Sequence, residues 1–92
     1  MEYKTVNVMS MDEVNSMLDE VNDDRTVPRN IRNMIAQAKE ALNTKQEIAV
    51  KISTAIAILD DVANDSNIPT YTRTQIWNVV SMLEVMNEQA KA

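Results

Sequence analysis

Carboxylates are the most numerous side chains here that could do chemistry, with 14 Asp and Glu in 92 residues. Many fall in adjacent pairs: Asp12-Glu13, Asp19-Glu20, Asp23-Asp24 and Asp60-Asp61. Neighbours on a helix point about 100° apart, so such pairs do not converge on one substrate or ion. A di-iron bundle would need inward-facing Glu-x-x-His pairs, and the chain has no histidine. Asp61, Asp65 and Asn67 offer oxygens to calcium, but their loop lacks the glycine and the late bidentate glutamate of an EF-hand. A serine nucleophile needs a base. Without histidine that leaves Lys45 and Lys51, and no spacing ties either to a serine. The absence of cysteine removes thiolate nucleophiles, disulfides and Cys-based zinc sites. The expectation is a protein that is not an enzyme, with no catalytic residue, no metal and no cofactor.

The cations are distributed unevenly. Residues 1–24 carry seven acids against Lys4, and residues 46–92 carry six acids against three cations. Between them stand Arg25, Arg29, Arg32, Lys39 and Lys45 against Glu40 alone. Arg29 and Arg32 fall in the first turn or so of a helix, where the macrodipole disfavours positive charge. Two readings follow. Arg25, Arg29, Arg32 and Lys39 form an anion or RNA-phosphate site, or the arginines pair internally with the acidic first helix and the Asp23-Asp24 turn. The overall net charge of −5 disfavours nucleic acid and anionic membranes as general partners.

Zero glycine constrains the elements that hold these residues. Hairpins and bulges rely on glycine for positive φ, so all-β folds are disfavoured, and Gly-rich phosphate loops and dinucleotide fingerprints are excluded. Four helical segments can be read from the apolar periodicity. Val14, Met17, Leu18 and Val21 form the first stripe, behind a Ser10/Glu13 capping box. Pro28 suits the first turn of the second helix, whose stripe is Ile31, Met34, Ile35, Ala38, Ala41 and Leu42. Asn43 is the residue expected to take a left-handed conformation at its end. The third helix, Glu47 to Ala63, presents Ile48, Ile52, Ala55, Ile56, Leu59, Val62 and Ala63 on one face. Its uncharged outer face predicts the most buried helix of the four. Pro69 or Thr70 opens the fourth, with Ile76, Val79, Val80, Leu83 and Met86 inward.

The chain matches itself at an offset of 41 residues. Leu18-Asp19-Glu20-Val21 falls on Leu59-Asp60-Asp61-Val62, Asp24 on Asp65, Val27-Pro28 on Ile68-Pro69, Arg32 on Arg73, Ile35 on Ile76 and Leu42 on Leu83. That period lies in the range of HEAT-type helical hairpins, but two hairpins are too few for a solenoid. They should close on one another instead. The predicted architecture is all-α, a four-helix antiparallel up-and-down bundle built from two duplicated hairpins. It is a single domain over residues 1–92, with hairpin 1 at about 9–43, hairpin 2 at about 47–90, and residues 1–8 as an arm or a helix extension. Pro28, Pro69, Asp24, Asp65, Arg32 and Arg73 are the expected turn and pairing residues.

The segments Leu18–Arg32 and Ser53–Leu83 carry a resemblance to a small archaeal family of uncharacterised, all-helical proteins. Ser53 to Asp61, Asn67-Ile68-Pro69 and Thr72 to Asn78 are its most specific parts. The resemblance covers most of the chain. It implies a four-helix bundle in an archaeal cytosol, and it carries no catalytic residue across.

The fourth helix has more apolar residues than one face can bury. Trp77, Met82 and Val85 lie off its core stripe. The expected function is a non-catalytic interaction module, acting as a homodimer or on an unidentified protein partner through Trp77, Met82 and Val85. The alternative is RNA or anion binding through the basic patch. No apolar run approaches the ~20 residues of a membrane span, and the first residues show no secretory h-region. The expectation is a cytoplasmic protein.

Overall fold

The computed structural model describes residues 11–91. The proposed arm, the capping residue Ser10 and Met9 lie outside the described residues. Four helices follow in order: α1 (Met11–Asp23), α2 (Arg29–Leu42), α3 (Ile48–Ala63) and α4 (Thr70–Lys91). Among the described residues there is no strand.

Each helix packs against its two neighbours in the order α1-α2-α3-α4-α1, and neither diagonal pair touches. Stacked HEAT-type hairpins would instead bring first helix against first helix and second against second. The two hairpins therefore close into an up-and-down bundle around one core. The apolar stripes supply that core. Val14, Leu18, Val21, Ile31, Ile35, Ala38, Leu42, Ile52, Ala55, Leu59, Val62, Ile76, Val79 and Leu83 are essentially inaccessible to water. Met17, Met34, Ile56 and Met82 pack at its edge.

The duplication is physical as well as textual. The buried residues Val14, Leu18, Val21, Val27, Ile31, Ile35, Ala38 and Leu42 fall, 41 positions on, upon Ala55, Leu59, Val62, Ile68, Thr72, Ile76, Val79 and Leu83, which are all buried. Both inter-helix turns are built alike. The Asp24 and Asp65 carboxylates accept the backbone N–H two residues on, at 2.9 and 2.7 Å. The carbonyls of Pro28 and Pro69 accept the first helical bonds from Arg32 and Arg73, each at 3.0 Å. Pro28 has φ −58° and ψ 150°, so it is the residue before the helix and not a member of its first turn. Its ring fixes φ either way, and its missing N–H costs nothing at that position.

Two expectations are corrected. Asn43 has φ −104° and ψ 15°, and no described residue has positive φ. The chain turns without glycine by tightening its helix ends. The Asn43 N–H donates to Glu40 O at 3.1 Å, and its side-chain amide covers Lys39 O at 2.7 Å. Thr44 Oγ1 covers Ala41 O at 3.0 Å. Nor is the uncharged outer face of α3 buried. Its outward residues Ala49, Val50, Ser53, Thr54 and Ala57 are exposed, so the lack of charge there reflects an apolar surface.

Candidate functional site on the two hairpin surfaces

Because the two hairpins solve the same folding problem, each is a control for the other. A side chain present at one position and replaced by a small or polar residue at its equivalent is not required by the fold. Two groups of residues stand out on this test.

The first group is apolar. Among the described residues, the large exposed hydrophobic ones are Ile48 (37% exposed), Val50 (44%), Tyr71 (69%), Trp77 (42%) and Val85 (41%), and every one belongs to α3 or α4. At the 41-residue offset hairpin 1 carries Asn30 and Ala36 where hairpin 2 carries Tyr71 and Trp77; Val85 has no helical counterpart, because α2 ends at Leu42 while α4 runs on to Lys91. A shallow groove on hairpin 1, lined by Asn22, Ala36, Gln37, Lys39, Glu40 and Asn43, includes the position that Trp77 takes in hairpin 2. Met82 differs from Trp77 and Val85 in being half-buried at the edge of the core. Trp77 stands one turn beyond Arg73, which reaches the end of α3, so it projects on the α3 side of α4. Val85 lies about 80° further round and about 12 Å further along. Ile48, expected on the inward face of the third helix, is exposed, because it is the first residue of α3 and lies beyond the end of the core. Tyr71 and Val50 did not emerge from the core stripes. Comparing the halves at 41 residues would have marked Tyr71, since the equivalent position in hairpin 1 holds Asn30.

The second group is cationic. Arg73 is integrated into its turn: Nε donates to Ala63 O and Nη2 to Asp65 O, both at 2.9 Å. The guanidinium thereby closes two carbonyls at the α3 C-terminus. Arg32 makes no equivalent bond. In hairpin 1 the carbonyl of Asp24 is taken by the N–H of Val27 at 3.1 Å, and Arg32 Nε is buried without a partner. The pairing expected between Arg32 and the Asp24 turn is therefore absent. The Asp24 carboxylate bonds the Thr26 N–H and, at 2.6 Å, its hydroxyl. These bonds, the hydroxyl first, hold the Asp24 carboxyl below its ordinary pKa.

Lys39 is bonded to Asp19 on α1, two turns along α2 from Arg32. The structure thus separates it from the arginines with which it was grouped. Arg25 and Arg29 are exposed and have no ion pair among the described residues.

Beside the first turn, Glu20, Asp23, Asp24, Tyr71 and Gln75 line a second, acidic groove where α1 meets α4. Gln75, buried in that seam, donates to Glu20 Oε1 at 3.2 Å and to the Tyr71 hydroxyl at 3.4 Å. The calcium candidates do not assemble. Asp65 Oδ1 is occupied by the N–H of Asn67, and no group of three or more acidic side chains converges among the described residues. No described helix is long and apolar enough to cross a membrane.

These features can be set beside known proteins. The pattern of an uncharacterised protein family (UPF0147) matches residues 2–86. A UPF0147 protein of Methanocaldococcus jannaschii is 56% identical over 69 residues, which cover 74% of each chain. Another, from Archaeoglobus fulgidus, is 42% identical over 74 residues, covering 80% of this chain and 85% of the relative. The fold matches the crystal structure of a UPF0147 protein from Thermoplasma acidophilum with a TM-score of 0.78 at 34% identity, over 82% of this chain and 89% of that one. It also matches the crystal structure of MMP1188, a protein of unknown function, with a TM-score of 0.76 at 52% identity, over 80% and 85% of the two chains. None of these proteins is named for an activity. By sequence and by fold, the chain belongs to the UPF0147 family of uncharacterised archaeal proteins.

Proposed function

We propose that the protein is a non-catalytic helical interaction module that pairs with a second copy through the apolar surface of hairpin 2. The observation that carries this reading is the asymmetry of the exposed apolar residues. Tyr71 and Trp77 stand in water where the duplicate hairpin folds with Asn30 and Ala36, and Val85 is exposed on the part of α4 that runs beyond its duplicate. Exposed aromatic and aliphatic side chains concentrated on one hairpin of a small protein mark an association surface. The non-catalytic part rests on the sequence, which has neither histidine nor cysteine. The cytoplasmic setting expected from the lack of an apolar span and of a secretory h-region is part of the proposal.

A two-fold interface would use the same patch on both copies and would bury roughly 1,200 Å² or more in total. Size-exclusion chromatography with light scattering tests this when coupled to acrylamide quenching of Trp77. The reading expects a dimer mass with Trp77 protected from quencher. A monomer mass, or a dimer in which Trp77 is quenched as freely as in the unfolded chain, overturns it.

A further inference from the structure

The three connections between helices are not built alike. The α1–α2 and α3–α4 turns are pinned. Each buries one aliphatic residue, Val27 at 1% and Ile68 at 5% exposure. Each holds an aspartate on the backbone N–H two residues on. Each ends in a proline directly ahead of the next helix, Pro28 and Pro69. The connection between α2 and α3, residues 43–47, has neither a buried residue nor a proline. Every residue from Asn43 to Val50 is exposed. Its side-chain bonds are local: Asn43 Nδ2 to Lys39 O at 2.7 Å, Thr44 Oγ1 to Ala41 O at 3.0 Å, and Lys51 Nζ to Thr44 O at 3.4 Å.

Nothing in residues 43–47 opposes continuation of the helix. The segment contains no glycine or proline and no residue with positive φ, and Lys45, Gln46 and Glu47 are good helix formers. Glu47 has φ −58° and ψ 148°, almost the geometry of Pro28, φ −58° and ψ 150°. The φ of Glu47 is therefore already helical, and its ψ is the angle that must turn. Pro28 and Pro69 close that route in the other two turns, because a proline ring inside a helix clashes with the preceding turn and removes a backbone bond. The start of α3 also has no side-chain cap, so its first N–H groups would gain carbonyl partners in a continuous helix. The bundle is thus two pinned hairpins of matching core, joined by the one connection that can straighten.

We infer that residues 43–47 are a hinge through which two copies of the chain exchange hairpin 2. In the exchanged dimer α2 and α3 run on as one helix over residues 29–63. Each four-helix bundle then takes α1 and α2 from one copy and α3 and α4 from the other. The core keeps the same buried residues and changes only the chain that supplies them, which makes exchange a low-cost route to a dimer. Linkage within one chain opposes it, since a short connection holds the hairpins at an effective concentration on the order of millimolar. The helical bonds gained at the two hinges act in the other direction. Exchange therefore becomes appreciable when chains refold together near that concentration. It is independent of the surface pairing proposed above, which joins intact bundles.

The test uses the full chain, which has no cysteine of its own, carrying Glu20→Cys and Gln75→Cys together. These side chains meet across the α1–α4 seam at 3.2 Å, and hairpin 1 folds with Met34 at the position of Gln75. The chain is refolded from urea at about 1 mM and at about 10 μM, either side of the effective concentration expected of the hinge. A short bismaleimide then joins the cysteines, and the unfolded products are separated by mass. The expected products are a covalent dimer from the concentrated sample and an internally linked monomer from the dilute one, the internal link reporting that the bundle has formed. Surface pairing of intact bundles gives only the internally linked monomer at both concentrations, so the two proposals fail separately. Glu47→Pro fits the closed geometry and forbids the continuous helix, and it should reduce the covalent dimer about a hundredfold. Internally linked monomer at both concentrations overturns the exchange. So does a covalent dimer that either single-cysteine variant forms equally well, or one that Glu47→Pro leaves undiminished.

Discussion

Replacing Arg73 by alanine removes two bonds of 2.9 Å, from Nε to Ala63 O and from Nη2 to Asp65 O. Both donors are charged, and hydrogen bonds of that kind contribute about 1.5–3 kcal/mol each in net terms. The full sum does not apply, because Asp65 is only partly buried and water can take the donor's place at its carbonyl. Ala63 is buried at 2% exposure, and its carbonyl would be left unsatisfied at about 1–3 kcal/mol. Arg73→Ala should therefore cost about 2–4 kcal/mol, a large share of the ~5–15 kcal/mol typical of a small domain. Arg32→Ala is the matched control. It occupies the equivalent position on the same kind of helix, but it removes no hydrogen bond and relieves an unpartnered buried Nε–H. It should cost less than about 1 kcal/mol. Urea unfolding followed by far-UV circular dichroism measures both changes, and a constant slope would show that the unfolded states are comparable. Equal losses for the two arginines would refute the assignment of structural work to Arg73 alone. A negligible loss at Arg73 would refute the pairing itself.

Three further outcomes are expected. Thr72→Val should stabilise the protein by about 1 kcal/mol in the same urea assay, because Thr72 Oγ1 is buried without a partner at the position that Ile31 fills in hairpin 1. Asn43→Gly should destabilise by about 0.5–1 kcal/mol, since φ is −104° there and the change adds unfolded-state freedom while deleting the bond to Lys39 O; a gain would mean that the helix ends in a left-handed residue. Thr26→Ala should raise the Asp24 carboxyl toward its ordinary pKa in an NMR titration, because Thr26 supplies the bonds that lower it. A depressed folded pKa gives stability that is present above the unfolded pKa and lost as pH falls through the folded one, so the variant should lose less stability on acidification.

The bundle was legible because its core is written at helical spacing twice over. The stripe centred on Leu18 and that centred on Leu59 are buried at the same depth, as are those of Ile35 and Ile76. The polar break after Leu42 was legible as a helix end, but its geometry was not. Asparagine serves a left-handed cap and a tightened right-handed end equally well, and here its side chain bonds Lys39 O. The exposure of α3 was misjudged for a related reason. Small uncharged residues such as Ala49, Ser53 and Ala57 fit a buried helix and an apolar surface alike. Arg32 and Arg73 are indistinguishable in sequence context, since each follows Val/Ile-Pro and an acidic turn. One part of their difference is local: the Asp24 carbonyl, equivalent to the Asp65 carbonyl that Arg73 Nη2 bonds, already accepts the Val27 N–H. The basic cluster was legible as an excess of charge, whereas the withdrawal of Lys39 to Asp19 depends on how α1 packs against α2.

On the function proposed above, the two hairpins share what folding requires and differ where the protein makes contact. Sedimentation equilibrium at micromolar concentration tests it most directly, on the natural chain and on a variant in which Tyr71 and Trp77 take their duplicates' residues and Val85 becomes polar, Tyr71→Asn, Trp77→Ala and Val85→Thr. Together they remove the exposed aromatic and aliphatic surface of α4 while leaving every buried position untouched. The prediction is a dimer mass for the natural chain and a monomer mass for the variant, with the helical circular dichroism of both unchanged. A monomer mass for the natural chain, a variant that remains dimeric, or a variant that loses its helices would contradict it.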